Sequence, residues 1–200
     1  MKKIVGIALA IIMCAGTAFA VESKTVEKTE SKSNAPKMYA KVNMGYGGGM
    51  PLGLLGYSNY FNIEPVFGIY PVSGNKKFAV ECSVDMNFGK VYSYSSSTVG
   101  GVTTETVDGR STHVIVPKVQ ALYYFTPDEL FSIYLGAGLG LAIGPNEYTG
   151  EGTEYMFNVN GLIGGCWNVN KKFAINAACD LDLLGFWSWK VKSGALYRFN

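Results

Sequence analysis

The sequence predicts an all-β fold, an eight-stranded antiparallel up-and-down transmembrane β-barrel, on three observations. Eight segments alternate bulky apolar residues with small or polar ones at a period of two, the signature of a strand with two unlike faces. The first twenty residues read as an export signal. Charged residues are only 16% of the chain and apolar residues 48%, yet no stretch after residue 20 approaches the ~20 consecutive apolar residues of a spanning helix. An exported, charge-poor chain without such a helix fits a barrel, which crosses the bilayer with strands whose individual signals are weak.

Residues 1–20 read as a signal peptide. Lys2 and Lys3 give a basic start, Ile4 to Ala15 is apolar, and Ala18-Phe19-Ala20 has the small-x-small form of a cleavage site. Cys14 lies inside the apolar run behind Met13, where a lipoprotein box would want a small residue, so it reads as apolar filler. Residues 21–37 are nearly free of apolar side chains and read as a disordered leader. The barrel domain is expected over 38–200. Without Lys2 and Lys3 the 17 basic residues fall to 15, matching the 15 acidic ones, so nothing electrostatic argues for nucleic acid and no such partner is expected. Cys82, Cys166 and Cys179 each sit in apolar or alternating runs and read as small hydrophobes. With a single histidine and no CxxC, neither a metal site nor a cofactor is expected.

The eight segments are roughly 38–48, 60–72, 77–92, 112–126, 131–144, 154–169, 172–187 and 190–199. The second, fourth and sixth are each followed by a tight polar turn, such as Thr126-Pro127-Asp128-Glu129. Longer connections are expected after the first, third and fifth, the longest being Ser93 to Ser111. Short turns at one rim and long loops at the other are the asymmetry of a membrane barrel. A small repeat marks two of the short turns: Asn75-Lys76-Lys77-Phe78-Ala79-Val80 returns as Asn170-Lys171-Lys172-Phe173-Ala174-Ile175.

The fifth segment tells inside from outside. One face is Phe131, Ile133, Leu135, Ala137, Leu139, Leu141 and Ile143; the other is Ser132, Tyr134, Gly136, Gly138, Gly140, Ala142 and Gly144. Small residues suit the crowded interior of an eight-stranded barrel, which side chains just fill. The same glycines fit neither a dinucleotide fingerprint, since Leu141 stands where the third glycine belongs, nor a helix-packing GxxxG, since Pro127 and Pro145 bound too short a helix.

The inner phase carries Lys41, Glu64, Glu81, Asp85, Lys118, Asp180, Asp182, Lys192 and Arg198. Charges of mixed sign in a narrow lumen must pair, so these form a neutralised polar plug rather than an ion path. Tyr70, Tyr124, Tyr134, Leu122 and Leu162 share that phase. Aromatic residues cluster near strand ends: Tyr46, Tyr60, Phe61, Tyr92, Phe186, Trp187 and Trp189 at the long-loop rim, and Tyr123, Phe131, Trp167, Phe173 and Phe199 at the other. Two belts are the interfacial girdles of a membrane barrel.

With Tyr134-Leu135-Gly136-Ala137-Gly138-Leu139-Gly140 and the ending Gly194-Ala195-Leu196-Tyr197-Arg198-Phe199, the chain resembles the small eight-stranded bacterial outer-membrane barrels, the family of outer membrane protein X and the transmembrane domain of outer membrane protein A. The resemblance covers about residues 38–200. It implies a bacterial outer-membrane location, contact with outer-membrane lipid, and delivery to the barrel assembly machinery through the aromatic C-terminal strand. We expect a monomer. Family members differ widely in role, so the resemblance indicates function only coarsely.

The function expected is that of a non-enzymatic surface protein, whose loops serve envelope integrity, adhesion or host interaction while the barrel anchors them. One alternative is a lipid-modifying enzyme. Ser111 and His113 are two residues apart on one face, Glu105 or Asp108 could orient the histidine, and lipid A deacylases place a serine and histidine at that spacing. The order is reversed here, which with a starting separation of about 7 Å argues against catalysis. A second alternative is a narrow porin-like channel.

Overall fold

The computed structural model describes residues 37–51, 56–71, 76–99, 102–127, 129–145, 152–184 and 186–199. The expected signal peptide at 1–20 and all of the 21–37 leader except Lys37 lie outside the described residues. Eight strands follow in chain order: β1 (Lys37–Pro51), β2 (Gly56–Tyr70), β3 (Phe78–Val99), β4 (Val102–Tyr124), β5 (Phe131–Pro145), β6 (Thr153–Asn168), β7 (Phe173–Leu184) and β8 (Phe186–Arg198). Each pairs antiparallel with the next, and β1 pairs with β8 from Tyr39↔Arg198 to Pro51↔Phe186, closing the barrel. Closure leaves no edge on the cylinder. Among the described residues no helix is long and apolar enough to cross a membrane, which says nothing about strands.

Burial follows the alternation. On β5, Phe131, Ile133, Leu135, Leu139 and Leu141 are exposed on the outside while Ser132, Tyr134, Gly138 and Ala142 are buried. The β5 glycines let neighbouring strands fill the interior. A Cβ at Gly138 would meet Asn160 Oδ1 at 2.5 Å and Gln120 Cγ at 2.6 Å, and one at Gly140 would meet Lys118 Cβ at 2.9 Å.

A bulky residue of outward phase departs from the pattern on β3. Val84 is buried because the register sets it beside Pro117 of β4 and next to Pro65 of β2. A proline has no N–H for the ladder. The β2–β3 pairing is accordingly interrupted at Pro65, and the β4–β5 pairing at Pro117.

The connections differ from expectation. The segment from Ser93 to Ser111 is not a loop: β3 and β4 stay paired from Phe78↔Tyr123 out to Val99↔Val102. The serines and glycines suggest a coil, but threonines and valines alternate among them and favour strand. The β2–β3 ladder stops at Gly56↔Ser93 and the β4–β5 ladder at Ile115↔Ile143, so among the described residues the end of this hairpin has no further strand pairing on its outer sides. Six residues beyond Ser93 extend it roughly 20 Å. The connection expected between the first two segments, 49–59, is likewise mostly strand, with residues 52–55 outside the described set. The asymmetry between rims therefore lies in strand length more than in loop length.

Candidate functional site: the polar lumen and the two rims

Inward positions of the strands meet in a packed layer near the short turns and a charged layer above it. Near the short turns the interior is a packed cluster that includes Tyr39, Tyr70, Ala79, Leu122, Tyr124, Tyr134, Leu162, Cys166 and Leu196. Tyr39–Tyr70, Tyr70–Tyr124 and Tyr124–Tyr134 ring centroids lie 5.2, 6.3 and 5.1 Å apart, so tyrosines from four strands fill the bore. Large rings fit because glycines face them: Gly68 lies against the Tyr39 ring and Gly164 against that of Tyr134.

Above the tyrosines lie the charges. Lys41 Nζ is 2.7 Å from Glu81 Oε1, and the Tyr39 hydroxyl donates to the same oxygen at 2.7 Å. The barrel centre holds a four-membered ring of alternating charge. Glu64 of β2 accepts from Lys118 of β4 at 2.8 Å and from Lys192 of β8 at 2.8 Å; Asp180 of β7 meets the same two lysines at 3.1 and 2.7 Å. The remaining lone pairs are also used, since Asn43 and Ser83 donate to Glu64 at 2.9 and 3.0 Å and Asn160 donates to Asp180 at 2.7 Å. Asp85, 3.5 Å from Lys118, receives Lys190 at 2.6 Å and Asn62 at 3.0 Å. Lys190 also reaches Asp182 at 3.0 Å, and the Ser188 hydroxyl donates to Asp182. All of these charged side chains are at least 94% buried. Burial at that level is tolerable only when each charge is paired and hydrogen-bonded.

Eight of the nine inner charges read from the sequence thus lie together in the lumen. Arg198 does not join them: it sits at the turn-side end and donates to Asn168 Oδ1 at 2.6 Å. Lys190 is an addition to the set. It has the same phase as Lys192, two residues on, but stands at the very start of the segment read from the sequence, where phase is hardest to assign. With Lys190 counted, four lysines face five carboxylates inside. At the turn-side mouth, Lys37, Lys76, Lys171 and Arg198 share a cavity of about 640 Å³ with Glu129.

Outward, Tyr46, Phe61, Tyr123, Phe131, Trp167, Phe173, Trp189 and Phe199 are exposed, and Tyr92 is half-buried. Tyr60 is a correction to the outer belt, because it points inward and is 9% exposed. Its neighbour Phe61 takes the outward place, as a period of two requires. The side chains of Phe186 and Trp187 lie outside the described set. Cys82 is exposed, Cys166 buried and Cys179 half-buried, all three as free thiols.

Ser111 and His113 both lie on the exposed face of β4, opposite Lys90 and Phe88. Glu105, eight residues from His113 on the same straight strand, is roughly 27 Å away. Asp108 is of opposite phase to His113 and lies 3.7 Å from Arg110. Neither carboxylate is placed to orient the imidazole.

No protein-family model and no curated protein matches the sequence. Among solved structures the chain is similar to Neisserial surface protein A, with a TM-score of 0.60 and 13% identity over 81% of this chain and 97% of that one. It is also similar to the N-terminal β-barrel domain of Pseudomonas aeruginosa OprF, with a TM-score of 0.51 and 15% identity over 82% of this chain and all of that one. At these identities the likeness concerns the fold, and the fold is that of the small eight-stranded outer-membrane barrels.

Proposed function

We propose that this protein is a non-enzymatic bacterial outer-membrane anchor with a plugged lumen, which presents its β3–β4 hairpin for adhesion, host contact or envelope integrity. The observation that carries the reading is the inverted distribution of polarity. Leu135, Leu139, Ile163, Leu181 and Val191 lie exposed on the outer wall, while at the same levels Lys41, Glu64, Asp85, Lys118, Asp180 and Lys192 are buried inside. In water such a wall would be a very large apolar patch; in a bilayer it is matched to its solvent. The exposed aromatic residues at both strand ends then serve as interfacial girdles.

The plug reading is supported by the tyrosine layer and the ring of Glu64, Lys118, Asp180 and Lys192. A fixed set of paired charges leaves no carrier-sized file through the middle of an eight-stranded barrel. The presenting role follows from the hairpin. Ser96 to Val99 and Thr103 to Arg110 are exposed, and among the described residues no strand pairs with the outer edges of this ribbon beyond Ser93 and Val114. An extended partner can pair with such an edge by main-chain hydrogen bonds.

The test is a trimmed protein in which a Gly-Gly pair replaces residues 94–107. Cells carrying it should retain the protein in the outer membrane but lose adhesion to host-derived surfaces or resistance to detergent. Full retention of both properties would refute the hairpin as the working element. Loss of the protein from the outer-membrane fraction in cells expressing the intact chain would refute the location.

A further inference from the structure

The Asn-Lys-Lys-Phe repeat of the sequence is also a repeat in space. At the foot of β3, Phe78 pairs with Tyr123, and Tyr123 packs edge-on against Phe125 at 5.3 Å. At the foot of β7, Phe173 pairs with Tyr197, and Tyr197 packs edge-on against Phe199 at 5.5 Å. The backbone agrees atom for atom: Tyr124 N–H donates to Lys77 O at 2.7 Å, and Arg198 N–H donates to Lys172 O at 2.7 Å. All six rings are outward, between 38% and 50% exposed. β3 and β7 are four strands apart in a closed ring of eight, so the two units stand on opposite sides of the barrel.

Each unit sets a pair of lysines at the end of a strand, next to an outward aromatic trio. Lys77, Lys171 and Lys172 are exposed and Lys76 is half-buried. The third turn at this rim, Thr126 to Leu130, holds no cation. Besides Lys37 and Arg198, which line the mouth cavity with Lys76 and Lys171, the rim thus sets a lysine pair twice beside the same aromatic triplet. Aromatic rings settle at the headgroup level of a bilayer, and lysine stems reach along apolar surface to hold their ammonium groups in the polar layer. A cation pair held at that depth is matched to a negative headgroup, whose phosphate would accept from the ammonium groups.

We propose that the turn-side rim carries two equivalent binding sites for anionic phospholipid, one at Lys76-Lys77 with Phe78, Tyr123 and Phe125, the other at Lys171-Lys172 with Phe173, Tyr197 and Phe199. This rests on the membrane reading above and adds to it a lipid class, a leaflet and a stoichiometry. The two sites would fix the depth and tilt of the barrel from opposite sides.

The experiment is native mass spectrometry of the refolded full chain in zwitterionic detergent, titrated with phosphatidylglycerol or phosphatidylcholine. The wild type should retain two phosphatidylglycerols, at several-fold lower lipid than is needed for phosphatidylcholine. K171Q/K172Q should retain one, and K76Q/K77Q/K171Q/K172Q should no longer distinguish the two lipids. These side chains lie outside the strand ladders, so the variants should keep the barrel's heat-dependent gel mobility. Should the quadruple variant fold poorly, raised salt on the wild type must abolish the preference instead. Equal retention of both lipids by the wild type, two phosphatidylglycerols on the quadruple variant, or loss of both from K171Q/K172Q would overturn the proposal. A wild type without any heat-dependent mobility would instead refute the membrane reading on which it rests.

Discussion

Lys118 and Glu64, from strands on either side of β3, meet inside the barrel at 2.8 Å with both side chains 99% buried. Lys118 also faces Asp180 at 3.1 Å and Asp85 at 3.5 Å, so removing its charge leaves three carboxylates short of a partner. Lys118→Met should destabilise the barrel by about 3–5 kcal/mol, the usual cost of breaking a buried pair from one side. Urea unfolding in micelles measures this, and adding Glu64→Gln should recover part of the loss. A Lys118→Met barrel as stable as the wild type would mean that the ring does not hold the strands together.

The glycines give a second prediction with its own control. Gly68 lies against the ring of the fully buried Tyr39, so a methyl there has no room. Gly68→Ala should cost about 1–3 kcal/mol as overpacking. Gly161 has nothing near its missing Cβ, and Gly161→Ala should leave stability unchanged or slightly raised. Equal effects at the two positions would contradict the packed turn-side layer.

A closed ladder should also resist detergent. Unboiled protein should run at a different apparent size from boiled protein on a denaturing gel, because a barrel has no edge from which to unzip. Identical mobility before and after boiling would count against closure.

The alternative enzyme reading is testable at one residue. His113 lies exposed on β4, far from Glu105, so His113→Ala should leave lipid A acylation in cells unchanged. A deacylated lipid A that reverts to full acylation in that variant would make the protein an enzyme.

Strand number and the sense of each face are legible because a period of two survives in all eight segments, and a single phase error would put Lys118 in the wall. The lumen set is readable for the same reason, apart from Lys190, which opens the segment read from the sequence but lies well inside β8, and Arg198, whose phase is right but whose height is not. Phase gives the side of the sheet and not the level along the barrel. The long hairpin is hidden because the run Ser95-Ser96-Ser97 favours coil locally. Cross-strand pairs such as Thr98–Thr103, with hydroxyls 3.1 Å apart, are visible only once the register is known. Tyr60 lies near a strand end, yet its burial depends on phase first. The prolines explain Val84 only in three dimensions, since Pro65 and Pro117 are 52 residues apart in sequence and one strand apart from Val84 in space.

The plugged lumen is tested most directly by planar-bilayer recording of the purified wild type beside Lys118→Met. Tyr39, Tyr70, Tyr124 and Tyr134 pack in the turn-side half and the four-membered charge ring crosses the middle; in the proposed reading these groups close the bore. The account predicts no stable conductance from the wild type, at most brief small events. Large, steady, ion-selective currents whose selectivity changes in Lys118→Met, with stability unaltered, would show that these charges line a path and that the protein is a channel.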